Sequence, residues 1–235
     1  MIILGIEAAA KVAGAAVYRD GQIVAEQMVN GTLTHSETLM PMVDAVLKAA
    51  NMQPKELDAI ALTAGPGSFT GLRIGAATAK GLALGLNIPL IPICTLEGLA
   101  ANMGPTDHLI VPMMDARRNQ VYTAIYDYEK GEVMAPEAMA PADLAVKLQE
   151  LGRPVVVLGD GSALYVEKLR ELSHVPVVLA PAHLRHASAG TVAALGAKKY
   201  EQGQSISGSQ LELNYLRKPQ AEREREERLA REHQG

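Results

Sequence analysis

The chain opens on an apolar run, Ile2 to Glu7, then a second from Val12 to Tyr18 rich in small residues, a turn at Arg19-Asp20-Gly21-Gln22, and a third run from Ile23 to Val29. Short apolar runs joined by a polar glycine turn predict a three-stranded meander. The period then changes. Thr34 to Met52 sets Leu39, Val43, Val46, Leu47 and Ala50 on one helical face; Asp58 to Thr63 reads as a strand, Thr70 to Leu86 as a helix, Pro89 to Cys94 as a strand, and a short helix starts near Thr95. The order is βββαβαβα.

The second half repeats this pattern. Strands are predicted at His108 to Asp115 and Gln120 to Tyr128, a turn at Glu129-Lys130-Gly131, a helix at Ala142 to Leu151, and a strand at Val155 to Leu158 closed by Gly159-Asp160-Gly161-Ser162. A helix near Leu164 to Leu172, a strand near Val175 to Leu179 and a helix near Ala187 to Gln202 complete it. Glu7 and Asp115 each end a first strand. Two copies of one topology predict a duplicated α/β fold, with lobes at 1–104 and 105–218 meeting near Asn102 to Thr106. Residues 219–235 differ in kind: Glu224/Arg228 and Glu227/Arg231 at i,i+4 spacing predict a solvated helical tail.

Two helices carry more apolar surface than one sheet can cover. In Thr70 to Leu86 the only charges, Arg73 and Lys80, share one narrow stripe, and Gly71, Gly75 and Ala79 would let another backbone approach. Met40, Met42, Ala45 and Ala49 likewise widen the apolar arc of the helix after Thr34. Both helices are therefore expected to cover their own sheet and also meet another protein chain, through His35, Leu39, Met40, Val43, Gly71, Leu72, Arg73, Gly75, Ala76, Ala79 and Lys80.

Composition narrows the functions. The 235 residues carry 22 Lys+Arg against 26 Asp+Glu, a net charge of −4, so no basic excess marks a nucleic-acid binder, and aromatics are only 3%. One cysteine, Cys94, supplies neither a disulfide nor a cysteine zinc cage. The N-terminus lacks a basic secretory n-region, and the longest uncharged stretch, Gly81 to Leu96, is under about 18 residues and broken by prolines. The expected compartment is the cytoplasm, with no membrane partner.

The candidate chemistry is sparse. Gly65 to Gly75 is a glycine-rich turn opening a helix, but it fits neither G-x-x-x-x-G-K-[ST] nor G-x-G-x-x-G nor a nucleophile elbow, so close packing is its expected role. Thr34-x-x-Glu37 reads as a capping box around His35, and Pro41 predicts a kink or a later helix start. Glu7-Ala8-Ala9-Ala10 lacks the hydroxyls expected of a turn holding magnesium and phosphate. Asp115-Ala116-Arg117-Arg118 is better equipped, with a carboxylate and two guanidiniums. No catalytic set and no metal-ligand set is visible.

The motifs His35-Ser36-Glu37, Gly65 to Gly75, Ala79-Lys80-Gly81-Leu82-Ala83, Met114-Asp115-Ala116-Arg117 with Val121-Tyr122, and Tyr215-Leu216-Arg217 together resemble the TsaB (YeaZ) family of tRNA threonylcarbamoyladenosine biosynthesis. The resemblance runs from Ile2 to about Lys218 and implies two RNase-H-like lobes of the actin/Hsp70-like (ASKHA) fold. It implies a non-catalytic subunit that pairs with its catalytic paralogue TsaD, joins the ATPase TsaE, and homodimerises through the same helices in isolation. Together they transfer threonylcarbamoyl to the adenosine beside the tRNA anticodon, and tRNA is met through the complex. By itself the chain needs no cofactor; ATP or ADP with magnesium belongs to the complex, with Asp115 and Arg117 as candidate contacts to an interfacial nucleotide. The rival reading is an autonomous ATP-binding enzyme of the same fold, an ATPase or kinase-like protein. The family commonly begins Asp-Thr-[Ser/Ala]-Thr where this chain has Glu7-Ala8-Ala9-Ala10, which argues against independent ATP hydrolysis.

Overall fold

The computed structural model describes residues 1–31 and 33–217. Lys218 and the charged tail 219–235 lie outside the described residues. Strands β1 (Ile2–Glu7), β2 (Ala13–Arg19), β3 (Gln22–Val29), β4 (Ala59–Thr63) and β5 (Leu90–Ile93) form one sheet in the order β3-β2-β1-β4-β5. Strands β6 (Leu109–Asp115), β7 (Val121–Asp127), β8 (Gly131–Met139), β9 (Val155–Leu158) and β10 (Val177–Leu179) form a second, ordered β8-β7-β6-β9-β10. The connectivity is the same in both. In each, an antiparallel meander is extended by two parallel strands, β1 with β4 and β4 with β5, β6 with β9 and β9 with β10.

The duplication read from the periodicity is present, with one addition. The sequence reading left Gly131 to Met139 unassigned after its turn, and it is β8. Its alternating residues are mostly exposed at the sheet edge and include Pro136, so the strand lacks the apolar run that marks the others. Some bounds also shift. The helix predicted from Thr34 to Met52 is α1 (His35–Ala49), which continues through Pro41, and the strand predicted near Val175 begins at Val177.

Strand alternation sorts the core into layers. Leu4 and Ile6 of β1 face α1 and α2 (Phe69–Leu86), packing with Val43, Val46, Ala76 and Ala79. Ile3 faces the other way, with Ala61, Ile91, Val192 and Ala193, the last two from α6 (Ala189–Glu201). In the second sheet Val111 and Met113 pack on α4 (Pro141–Leu151) and α5 (Ser162–Ser173), while Ile110 and Met114 meet Leu96 and Leu99 of α3 (Thr95–Ala100). Such two-way burial explains why the central strands are nearly continuous apolar runs.

The last part of the chain returns to the first sheet. Helix α6 covers its inner face, Ile206 pairs with Leu90, and the Asn214 N–H donates to the Ala64 carbonyl at 2.7 Å. Asn102, just past the end of α3, ties this return in place. Its Nδ2 donates to the carbonyls of Leu184 and His186 at 3.1 and 2.6 Å, and its Oδ1 accepts from Thr191 Oγ1 at 2.7 Å.

Candidate functional site

A cleft of about 1020 Å³ opens between the two sheets, where the strand-end turns Ala8–Ala10 and Asp115–Asn119 face each other. Ala9, Ala10, Ser68 and Phe69 line the first side, Asp115, Arg117 and Asp160 the second, and Tyr215 and Arg217 of the returning segment close the end.

The first turn is held from three directions. Glu7 Oε1 accepts the N–H groups of Ala9 and Ala10 at 2.8 and 3.2 Å. The Ala9 carbonyl accepts the Ser68 N–H at 2.8 Å, and the Ala10 carbonyl accepts His35 Nε2–H at 3.0 Å. The glycine loop supplies the fit: a Cβ at Gly67 would collide with the Ala9 carbonyl, and one at Gly71 with the Ala8 carbonyl. Close packing, the role expected of Gly65 to Gly75, is what these glycines permit. Ser68 then caps α2, its Oγ accepting the Gly71 N–H at 3.3 Å.

Glu7 is fully buried, and its Oε2 has no hydrogen-bond partner. Burial pushes its carboxyl up to about 7; the Ala9 and Ala10 N–H groups and the Thr63 hydroxyl pull it back, and the charge of Asp160 raises it further. Asp160 is itself raised by burial and by the charge of Asp115, although the Asp115 N–H donated to its Oδ1 at 3.1 Å opposes this.

The second turn presents cations. Arg117, Arg118 and Asn119 take φ of 60°, 54° and 55° in succession, a left-handed run that costs non-glycine residues about 1 kcal/mol each. The Arg117 N–H donates to Asp115 Oδ1 at 2.8 Å and its guanidinium pairs with Oδ2 at 3.3 Å, while its side chain stays 88% exposed. Arg217 braces the turn by donating to the Ala116 carbonyl at 2.9 Å. Among the described residues, no three His, Cys, Asp or Glu side chains converge as a metal-ligand set.

The expected interface residues divide by environment. Leu39, Val43, Leu72, Ala76 and Ala79 are buried inside the chain, and Gly71 and Gly75 lie against Ala8. His35 is half-buried on the turn, and Lys80 donates to the Leu211 carbonyl at 3.3 Å. Met40 and Arg73 are exposed, and Arg73 stacks 3.8 Å over the Phe69 ring, which leans on Tyr215 at 5.1 Å. The outward stripe of α2 is Arg73, Ala77, Gly81 and Leu84, and Leu84 is 85% exposed. Around His35 the capping reading is supported by Glu37, whose Oε2 accepts the Thr34 N–H at 2.9 Å and the Thr34 hydroxyl at 2.7 Å.

Sequence reasoning missed Glu7 as an acceptor and Phe69 as a cleft residue. Only the Tyr215-Leu216-Arg217 motif signalled the returning segment.

A family model described as TsaD, tRNA N6-adenosine threonylcarbamoyltransferase, matches residues 31–221. The tRNA threonylcarbamoyladenosine biosynthesis protein TsaB of Bacillus subtilis (strain 168) is 35% identical over 225 residues, 94% of this chain and 96% of that one. The chain belongs to the TsaB family. It is thus a paralogue of TsaD within tRNA threonylcarbamoyladenosine biosynthesis. The YeaZ structure from Pseudomonas aeruginosa superposes with a TM-score of 0.78 at 26% identity, covering 92% of this chain and 99% of that one. A ROK hexokinase from Thermus thermophilus, at 14% identity and a TM-score of 0.51 over 84% of this chain and 100% of that one, shares the ASKHA fold. No helix among the described residues is long and apolar enough to cross a membrane.

Proposed function

We propose that this TsaB-family chain is a non-catalytic scaffold and activator that pairs with a TsaD-type transferase, with TsaE joining the pair, for threonylcarbamoyl transfer to the adenosine adjacent to the tRNA anticodon. It acts in the cytoplasm, with lobes at 1–104 and 105–218 and the segment from α6 onward lent back to the first lobe. The observation that carries the reading is the outward stripe of α2. Ala77 and Gly81 are small enough for a second helix to come close, and Leu84 is a large apolar side chain in solvent. Burying Leu84 alone would contribute about 2 kcal/mol.

Met40, Arg73 and the α2 stripe make the contact. The buried members of the expected set, Leu39, Val43, Leu72, Ala76 and Ala79, shape it from beneath. A paralogue of the same fold presents matching helices, so the occupant of this face is TsaD, and a second copy of this chain takes its place in isolation. Asp115 and Arg117 contact a nucleotide only in the complex, where ATP or ADP and magnesium enter.

The test is Ala77→Glu. A carboxylate on the exposed stripe leaves the fold intact and places a charge in the contact. Association with TsaD and tRNA modification are expected to fall together, with an unchanged melting curve. If both persist at wild-type level, α2 is not the docking face.

A further inference from the structure

The Ala9 and Ala10 N–H groups both point at Glu7 Oε1. Successive main-chain N–H groups converging on one anionic oxygen are the donor set with which strand-end turns hold phosphate. Here a side chain of the same strand fills that set. The carboxyl group is sealed, with Oε2 buried and without a hydrogen-bond partner, an arrangement that costs free energy and persists only where the surroundings enforce it. Ser68 and His35 enforce it by holding the turn through the carbonyls of Ala9 and Ala10. No hydroxyl in Ala8-Ala9-Ala10 offers a phosphate a substitute.

We propose that the Glu7 carboxyl is a built-in acceptor that occupies the phosphate-holding donors of the β1–β2 turn and closes the first-lobe side of the cleft to the phosphate groups of a nucleoside triphosphate. A phosphate arriving there meets occupied donors and, once the pH exceeds about 7, a like charge as well. The first turn therefore does not fit the triphosphate of ATP, whereas the exposed Arg117 and Arg118 side chains of the second turn stay open to anions. This inference rests on the scaffold reading and deepens it, since it gives the physical reason why the chain does not process ATP alone.

The test follows the backbone amide resonances of Ala9 and Ala10 at pH 8 while inorganic pyrophosphate, and separately ATP with magnesium, is titrated into wild type, Glu7→Gln and Glu7→Ser. In wild type both amides should stay still. Glu7→Gln should match it, because a carbonyl oxygen still accepts both N–H groups. Glu7→Ser frees the donors, so its amides should move and its pyrophosphate affinity should exceed wild type by about tenfold or more. Should Glu7→Ser fail to fold, Glu7→Asp, whose shorter reach cannot satisfy both donors, is expected to show the same gain. A folded Ser or Asp variant whose amides ignore pyrophosphate overturns the proposal and leaves the scaffold reading standing. Wild-type amides that shift with ATP as readily as the variant's overturn both.

Discussion

Glu7 carries a stability term of definite sign. Burial raises its carboxyl from an ordinary 4.5 to about 7 in the folded chain, so between these values the folded state holds a proton that the unfolded state has released. Stability from this group is full below about pH 4.5 and falls as pH rises through about 7, a loss of about 3 kcal/mol. Glu7→Gln cannot titrate. The difference in unfolding free energy between wild type and variant, measured by chemical denaturation from pH 5 to pH 8, should therefore move in the variant's favour as pH rises. Parallel curves would mean that Glu7 is charged or neutral throughout. At the same scale, His35→Ala removes one hydrogen bond to the Ala10 carbonyl and should cost about 1 kcal/mol, with faster amide exchange at Ala10 and Ser68.

Helix α2 works through two faces of opposite tolerance. Leu72 is fully buried, so Leu72→Ala should cost about 2–5 kcal/mol, whereas Ala77→Glu on the outward stripe should stay within about 0.5 kcal/mol of wild type. Thermal denaturation of the two variants separates these faces. Gly71→Ala should also destabilise, because its methyl group meets the Ala8 carbonyl at the turn that Glu7 holds. The sequence made α2 legible as a helix with surplus apolar surface, because its charges lie on one stripe. It did not reveal which residues form the surplus: Leu72 and Ala76 match the apolar pattern as well as Ala77 and Leu84, and only the sheet's position tells them apart. Strand β8 was illegible for a related reason, since an exposed edge strand with Pro136 carries little periodicity. The capping box and the glycine loop were readable because the physics that fixes them acts over a few residues.

Across the whole molecule, the duplication was readable because each half repeats the same element order, and Glu7 and Asp115 do end matching strands that flank the cleft. The return of the chain to the first sheet was not, since α6 and the segment to Arg217 meet partners far away in sequence. Asn102 binds this return through three groups, so Asn102→Ala should cost about 2–3 kcal/mol and loosen α6 in hydrogen exchange. One arrangement then serves the proposed role: the first lobe is stiffened from both faces, its cleft turn is filled by its own carboxylate, and one face of α2 is left for a partner. The most direct test is tRNA threonylcarbamoylation reconstituted from TsaD, TsaE, ATP, tRNA and the activated adenylate, with wild-type chain, with the Ala77→Glu variant, and with none. The account predicts modification with wild type and loss of it in the other two; modification that proceeds equally in all three would contradict it.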